Sequence, residues 1–131
     1  MEKNIIIPKN EKRIFTGGKL ANDIKYMAIN DNDLDMTSVV VTVNIGSLAE
    51  DADLKYQGLA HFLEHMLFLG SVKYPKMDEY NNLINSNGGS SNAYTENTKT
   101  TYHFSIYNNF LDKALDIFSR FFIDPIFDSN S

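Results

Sequence analysis

Two histidines and a glutamate stand inside an apolar run, "HFLEHMLFLG", as His61, Glu64 and His65. Ionisable groups are expensive among Phe, Leu and Met unless they are partnered. On an α-helix, residues four apart lie on one face, so His61 and His65 can aim at a common centre. Imidazole nitrogens hold zinc at ~2.0–2.1 Å, which makes this pair a candidate half of a metal shell. Glu64 lies near the same face but off the His–His axis. That offset suits a base acting on a metal-bound water better than a third ligand, because zinc lowers the pKa of its water to about 7. The competing reading is a pair of satisfied core histidines. A glutamate at this offset in the same apolar helix favours the metal. The order His-x-x-Glu-His is the inverted form of the commoner zinc-peptidase signature.

The elements that must position this triplet follow from period and punctuation. From Tyr56 to Leu69, His61, Glu64, His65 and Phe68 recur at spacings of three and four, which predicts a helix. Asp53 is a candidate cap at its entry, and Gly70 stands where it should end. "TSVVVTVNIGS" (37–47) is β-branched and alternating, and predicts a central strand. Upstream, "RIFTGGKLAN" and "DIKYMAIND" predict two extended segments around a turn, followed by the turn cluster "NDNDLD" (30–35). A second helix is expected from about Lys76 to Asn85, led by Pro75 and ended by Asn87, Gly88 and Gly89. "SSNAYT" and "TTYHFSIY" read as strands joined by "ENTK". "NNFLDKALDIFSRFF" reads as an amphipathic helix with an apolar stripe of Phe110, Leu111, Ala114, Leu115, Phe118 and Phe121 or Phe122. The order β-β-β-α-α-β-β-α predicts an α+β fold, an antiparallel sheet packed against helices.

The bulk numbers narrow the function classes. A chain of 131 residues holds one domain but hardly two. Residues 1–12 are polar and are expected to form a loosely ordered N-terminal segment, with the domain proper from 13 to 131. A net charge of −5 gives no reason to expect nucleic acid or an anionic membrane as partner. The absence of cysteine excludes a disulfide framework and thiolate metal sites. The N-terminus resembles neither a signal nor a transit peptide, and no stretch approaches the ~20 apolar residues of a membrane span. The expectation is a cytoplasmic protein.

"GLAHFLEHMLFLGSVKYP", then "GGSSNAYT", "TYHFSI" and "ALDIFSRFFIDPIFD", resemble in order and separation the insulysin/pitrilysin family of inverted-motif zinc peptidases. The resemblance runs from about Arg13 to Asp128 and makes half of a metallopeptidase-type α/β sandwich domain, truncated, the expected fold. "KYP" after the helix is closer to the insulysin side than to the mitochondrial processing peptidases, which remain the alternative enzyme reading. A non-catalytic peptide-binding relative is the alternative from another class.

The resemblance implies His61 and His65 as zinc ligands, Glu64 as general base, and peptides as substrates. It makes "SSNAYT" the edge strand on which substrate backbone is laid, with Asn92, Ala93 and Tyr94 as candidate contacts. An extended peptide gains main-chain hydrogen bonds at such an edge whatever its side chains. Phe68 resembles the family's apolar wall near the scissile bond; its plain alternative is core. His103 sits where the family more often has an aromatic and is not assigned as a ligand. A catalytic zinc usually has three protein ligands, and the family's third, a glutamate on a later helix, falls beyond Ser131. The chain is therefore expected to be the N-terminal fragment of a longer zinc endopeptidase, with that protein's remaining domains as partners. Alone, it is expected to be inactive and to self-associate through uncovered apolar surface.

Overall fold

The computed structural model describes residues 5–50 and 56–127. Asp53, the expected helix cap, lies outside the described residues. The chain divides between Asp35 and Met36 into two compact units.

The first unit is a hairpin. β1 (Ile14–Lys19) and β2 (Lys25–Asn30) pair antiparallel, from Ile14 opposite Asn30 to Lys19 opposite Lys25. Asp23, at φ 69°, turns the chain between them, and the Leu20 amide donates to the Ile24 carbonyl at 2.8 Å. Asp and Asn tolerate the left-handed region better than other non-glycine residues, which fits "ANDI" at this turn. Ahead of β1, residues 5–12 form no helix or strand.

The second unit contains a three-stranded antiparallel sheet and three helices. β3 (Met36–Val43), β4 (Ser90–Thr95) and β5 (Thr100–Tyr107) lie in the order β3-β5-β4. The helices are α1 (Leu59–Leu67), α2 (Met77–Ser86) and α3 (Leu111–Arg120). The α+β class and the element order follow the sequence expectation. One detail does not: β5, not β3, is the central strand. β-branched composition reports a pleated, half-buried surface rather than a place in the sheet. β3 alternates half-buried Thr37, Val39 and Val41 with exposed Met36, Ser38, Val40 and Thr42. β5 carries the buried Tyr102, Phe104 and Ile106.

Pairing registers sort the sheet into two faces. Val41, Tyr102 and Ala93 lie side by side, as do Val39, Phe104 and Ser91. Of these, Val39, Val41, Ala93 and the two aromatics pack into the core with the helices. The opposite face carries Val40, His103 and Asn92 in one row. The core is dominated by aromatic rings. Phe118 meets Phe104 at 4.9 Å, Phe122 at 5.5 Å and Phe121 at 5.7 Å between centroids, and Tyr80 meets Phe121 at 5.0 Å. Edge-to-face pairs of this kind add about 0.5–1.5 kcal/mol beyond the area they bury. Burial pushes the Tyr80 phenol up to about 12, and its hydroxyl lies 2.9 Å from that of Ser91.

The stripe of α3 is shifted from the expected one. Ala114, Ile117, Phe118 and Phe121 are buried, whereas Leu115 and Phe110 are exposed. Counting by threes from Leu111 gives Ala114 and Ile117, and four beyond these stand Phe118 and Phe121; Leu115, four beyond Leu111, falls at the edge of that arc. Phe110 precedes the helix in a 3-10 turn, Asn108–Phe110.

This packing makes a quantitative contrast. Phe118→Ala should cost about 3–5 kcal/mol, the range for emptying a buried aromatic site. Leu115→Ala should stay within about 0.5 kcal/mol, as exposed substitutions do. Urea denaturation of the two variants checks the contrast; equal losses would place the core on the wrong face of α3.

Candidate functional site

α1 divides its residues among three surroundings. Glu64, Met66 and Leu67 are buried, His61 and His65 are exposed, and Leu59, Phe62 and Leu63 form an exposed apolar row. Among the described residues, His61, Glu64 and His65 form a cluster able to hold a metal ion, with one candidate ligand atom from each within 4.8 Å of the others. The two imidazole Nε2 atoms are 3.1 Å apart, and the ring centroids 4.7 Å. Two nitrogens that share one zinc at a tetrahedral angle stand roughly 3.3 Å apart. The histidine pair therefore fits a common ion. A buried carboxylate beside two exposed imidazoles also matches the split between base and ligands that the helical offset suggests.

The start of α1 is held from outside the helix. Glu50 reaches forward to accept the Gly58 amide at 2.7 Å and the Ala60 amide at 2.9 Å. These two bonds occupy donors that a helix N-terminus leaves open. They also hold the Glu50 carboxyl below its usual range, the Ala60 amide contributing most. Gly58 itself sits at φ 84°, a conformation glycine takes without strain. Glu50 is placed by the preceding loop. Ser47 and Leu48 donate their amides to the Glu96 and Asn97 carbonyls of the β4–β5 turn, at 3.0 and 2.8 Å. Gly46 makes that approach feasible, because a Cβ there would lie 2.1 Å from the Glu96 carbonyl oxygen. The entry to α1 is thus tied to the end of β4 through the Glu50 carboxylate and the backbone of the segment before it.

The exit of α1 is tied to α3. The Ser71 amide donates to the Tyr74 carbonyl, the Val72 amide to the Asp124 carbonyl, and the Ile126 amide to the Gly70 carbonyl. The "KYP" segment adds side chains. Lys73 Nζ lies 2.7 Å from Asp116 Oδ2, and the Tyr74 hydroxyl donates to the same oxygen. Lys73 and then Tyr74 hold the Asp116 carboxyl below its usual range.

Glu64 is 6% exposed, and it accepts the Thr95 hydroxyl on Oε2 at 2.5 Å. Nearby, burial and then the Glu64 charge push the Tyr102 phenol up to about 12, so Tyr102 stays neutral at ordinary pH. A cleft passes over this group, bordered by Glu50, His61, Glu64, Ala93, Tyr94 and Thr95. Its floor is the junction of α1 with β4, and β4 is an edge strand.

The expected substrate contacts separate here. Ala93 and Tyr94 border the cleft with His61 and Glu64. Asn92 lies in the row with His103 on the other sheet face, and its Oδ1 accepts the Ala93 amide at 2.9 Å. The Tyr94 ring leans toward His103, 6.3 Å between centroids. His103 therefore stands on the sheet face away from the histidine pair. Phe68 packs among Tyr80, Tyr102 and Phe121, the last at 5.2 Å, which is a core position beside the site. Two contributors escaped the sequence reading. Glu50 lies eight positions before Gly58 in the sequence, outside any periodic pattern. Thr95 belongs to "SSNAYT", and the alternation Ser91, Ala93, Thr95 could have placed it on the helix-facing side.

Comparison with known proteins matches residues 26–131 to the insulinase family, peptidase family M16. The chain belongs to that family. It is 44% identical over 120 residues to insulin-degrading enzyme of Homo sapiens, covering 92% of this chain and 12% of that protein. A Schizosaccharomyces pombe relative named as a zinc protease is 41% identical over 122 residues, 93% of this chain and 12% of that protein. The crystal structure of pitrilysin superposes with a TM-score of 0.92 at 29% identity, over 99% of this chain and 14% of that one. The chain thus spans about one eighth of the length of these relatives.

The Glu50 cap makes a pH prediction. Its folded pKa is depressed, so its contribution is complete above the usual carboxyl value of 4.5 and fades as pH falls through the lower folded value. Glu50→Gln should therefore melt at a lower temperature than the parent at neutral pH, and the gap should close on acidification. A gap that persists unchanged at pH 2 would show that the carboxylate is not what stabilises the helix entry.

Proposed function

We propose that this chain is the N-terminal part of the catalytic domain of a zinc endopeptidase, with residues 13–131 forming that part and peptides as substrates. The single observation that supports it most is the His61–His65 pair with buried Glu64 beneath it, set against an edge strand. Membership of the insulinase family, and a relative named as a zinc protease, point the same way.

In this reading His61 and His65 would hold the zinc through Nε2, and the third protein ligand lies in sequence after Ser131. When bound, zinc supplies Lewis acidity toward the carbonyl and toward the attacking water. Glu64 takes the proton of that water. Its Oε2 accepts the Thr95 hydroxyl, and we take Oε1 as the acceptor turned to that water. The apolar surroundings of Glu64 keep bulk water from competing for it. The edge of β4 offers backbone groups to an extended peptide, and Ala93 leaves room beside the cleft. Tyr94 contributes through its place at the rim, and Asn92 through the backbone it fixes at Ala93. Phe68 supports α1 from the core and shapes the apolar side of the site.

No helix among the described residues is long and apolar enough to cross a membrane. The cytoplasm is the compartment we propose. The exposed row Leu59, Phe62 and Leu63 supports reading the 131-residue chain as a segment that other parts of a longer protein cover. The chain alone should hydrolyse peptides negligibly and self-associate.

Two measurements test this. In the full-length protein, Glu64→Gln should retain zinc by metal analysis and lose peptide hydrolysis by at least ~10²-fold, the usual weight of a general base. Near-full activity in that variant would remove Glu64 from its role. His61→Ala should weaken zinc binding by at least ~10-fold in a chelator competition, since even residues behind the ligands are worth that much. Unchanged affinity would sink the metal assignment.

A further inference from the structure

The hydrogen bond on Glu64 has a direction fixed by chemistry. An ionised carboxylate only accepts, so the Thr95 hydroxyl must spend its one proton on Oε2. The remaining partner of Thr95 is also ordered. Thr100 Oγ1 lies 3.5 Å from Thr95 Oγ1 and donates to the Ile45 carbonyl at 2.9 Å. Thr95 and Thr100 face each other in the β4–β5 register, at the end of the hairpin. The same hairpin turn anchors the loop that presents Glu50 to α1. The Thr95 hydroxyl therefore comes from the most tied-down end of β4, not from a free loop.

We propose that Thr95 is a positioning residue for the Glu64 base. This inference rests on the peptidase reading above and deepens it. Thr95 does not touch the histidines in the structure. It acts through Glu64 in two ways. It fixes the carboxylate rotamer, so that Oε1 is the oxygen presented to the cleft. It also supplies a hydrogen-bond donor to a carboxylate that α1 has carried into a buried setting. β4 thus serves the site twice. Its edge faces the peptide, and the last residue on its helix-facing side orients the base.

A hydroxyl at this place has a plainer use, to satisfy a buried carboxylate for folding alone. The two uses differ in what they move. Thr95→Val keeps the β-branched shape and the strand propensity while removing the proton, and Thr95→Ser restores the proton on a smaller side chain. In the full-length protein, Thr95→Val should lower kcat for a quenched peptide by about 10–100-fold, the usual weight of a group that orients another. KM and zinc affinity should stay within about twofold, and Thr95→Ser should recover most of kcat. Added to Glu64→Gln, Thr95→Val should cause no further loss, because a residue that acts only through Glu64 has nothing left to act on.

The outcomes separate cleanly. If Glu64→Gln abolishes hydrolysis while Thr95→Val keeps kcat, the positioning role is wrong and the peptidase reading stands. A Thr95→Val variant that loses thermal stability or zinc in proportion to its activity, with no rescue by serine, makes the hydroxyl structural and overturns the proposal. A fully active Glu64→Gln brings down the peptidase reading itself.

Discussion

A carboxylate held 6% exposed on an apolar helix is the constraint on which the rest of the second unit depends. Burying an ionised group without partners costs several kcal/mol, so it must be met by a donor, neutralised or moved to water. Here it is met by one hydroxyl from β4. That bond is available only while α1 keeps its axial position and rotation against the sheet. One residue of slip on the helix would turn Glu64 by about 100°, away from Thr95. The restraints at both ends of α1 hold that register: Glu50 and the Gly46 approach at the entry, Lys73, Tyr74 and Asp116 at the exit. Neither set uses the histidines, which among the described residues meet each other.

The division of burial along α1 is itself informative. A helix that served only packing would turn its polar residues outward together. In α1 the glutamate is buried and the histidines are exposed, although His65 is the next residue in the chain. Successive helical residues stand about 100° apart, enough to bury one against the sheet and leave the next exposed. The family to which the chain belongs is one of peptidases, and for that chemistry the split makes sense. Ligands must reach an ion that substrate also reaches, whereas a base works best away from bulk water.

Much of this arrangement was legible beforehand because its signals are local. Spacings of three and four over 56–69, the β-branched run at 37–47 and the glycine-ended helix before Gly88 each describe contacts within a few residues; the helices Leu59–Leu67 and Met77–Ser86 stand inside or beside their patterns, and the strand Met36–Val43 ends four residues short of its own. The resemblance located the histidine cluster and the neighbouring edge strand. What escaped depends on distant partners. Whether a strand is central or lateral is decided by pairing across sixty residues, as between Val40 and His103, and β-branched composition is blind to it. Which face of β4 a residue occupies needs the register, and for that reason Asn92 and Ala93, adjacent in "SSNAYT", stand on opposite faces. The stripe of α3 kept Ala114, Phe118 and Phe121 but took Leu115 for Ile117, two positions apart, a span over which a helix turns about 200°.

The core explains why those errors had limited consequence. Aromatic rings on α2, α3 and β5 meet over a continuous cluster, mostly edge to face and stacked at the pair Tyr80–Phe118, with Tyr80, Phe104, Phe118 and Phe121 at its centre. Such a cluster fixes the helices against the sheet whichever strand is lateral. Phe68 joins it from the end of α1 and carries that rigidity to the site. In the proposed role Glu64 needs its oxygen within hydrogen-bond reach of the proton it takes, and a short helix cannot hold that placement alone, because isolated helices of this length are barely stable in water. The aromatic core gives α1 a fixed platform, the two end restraints set its rotation, and the Thr95 hydroxyl sets the last torsions of Glu64. Precision at the carboxylate is thus assembled in three stages, each acting over a shorter distance than the one before.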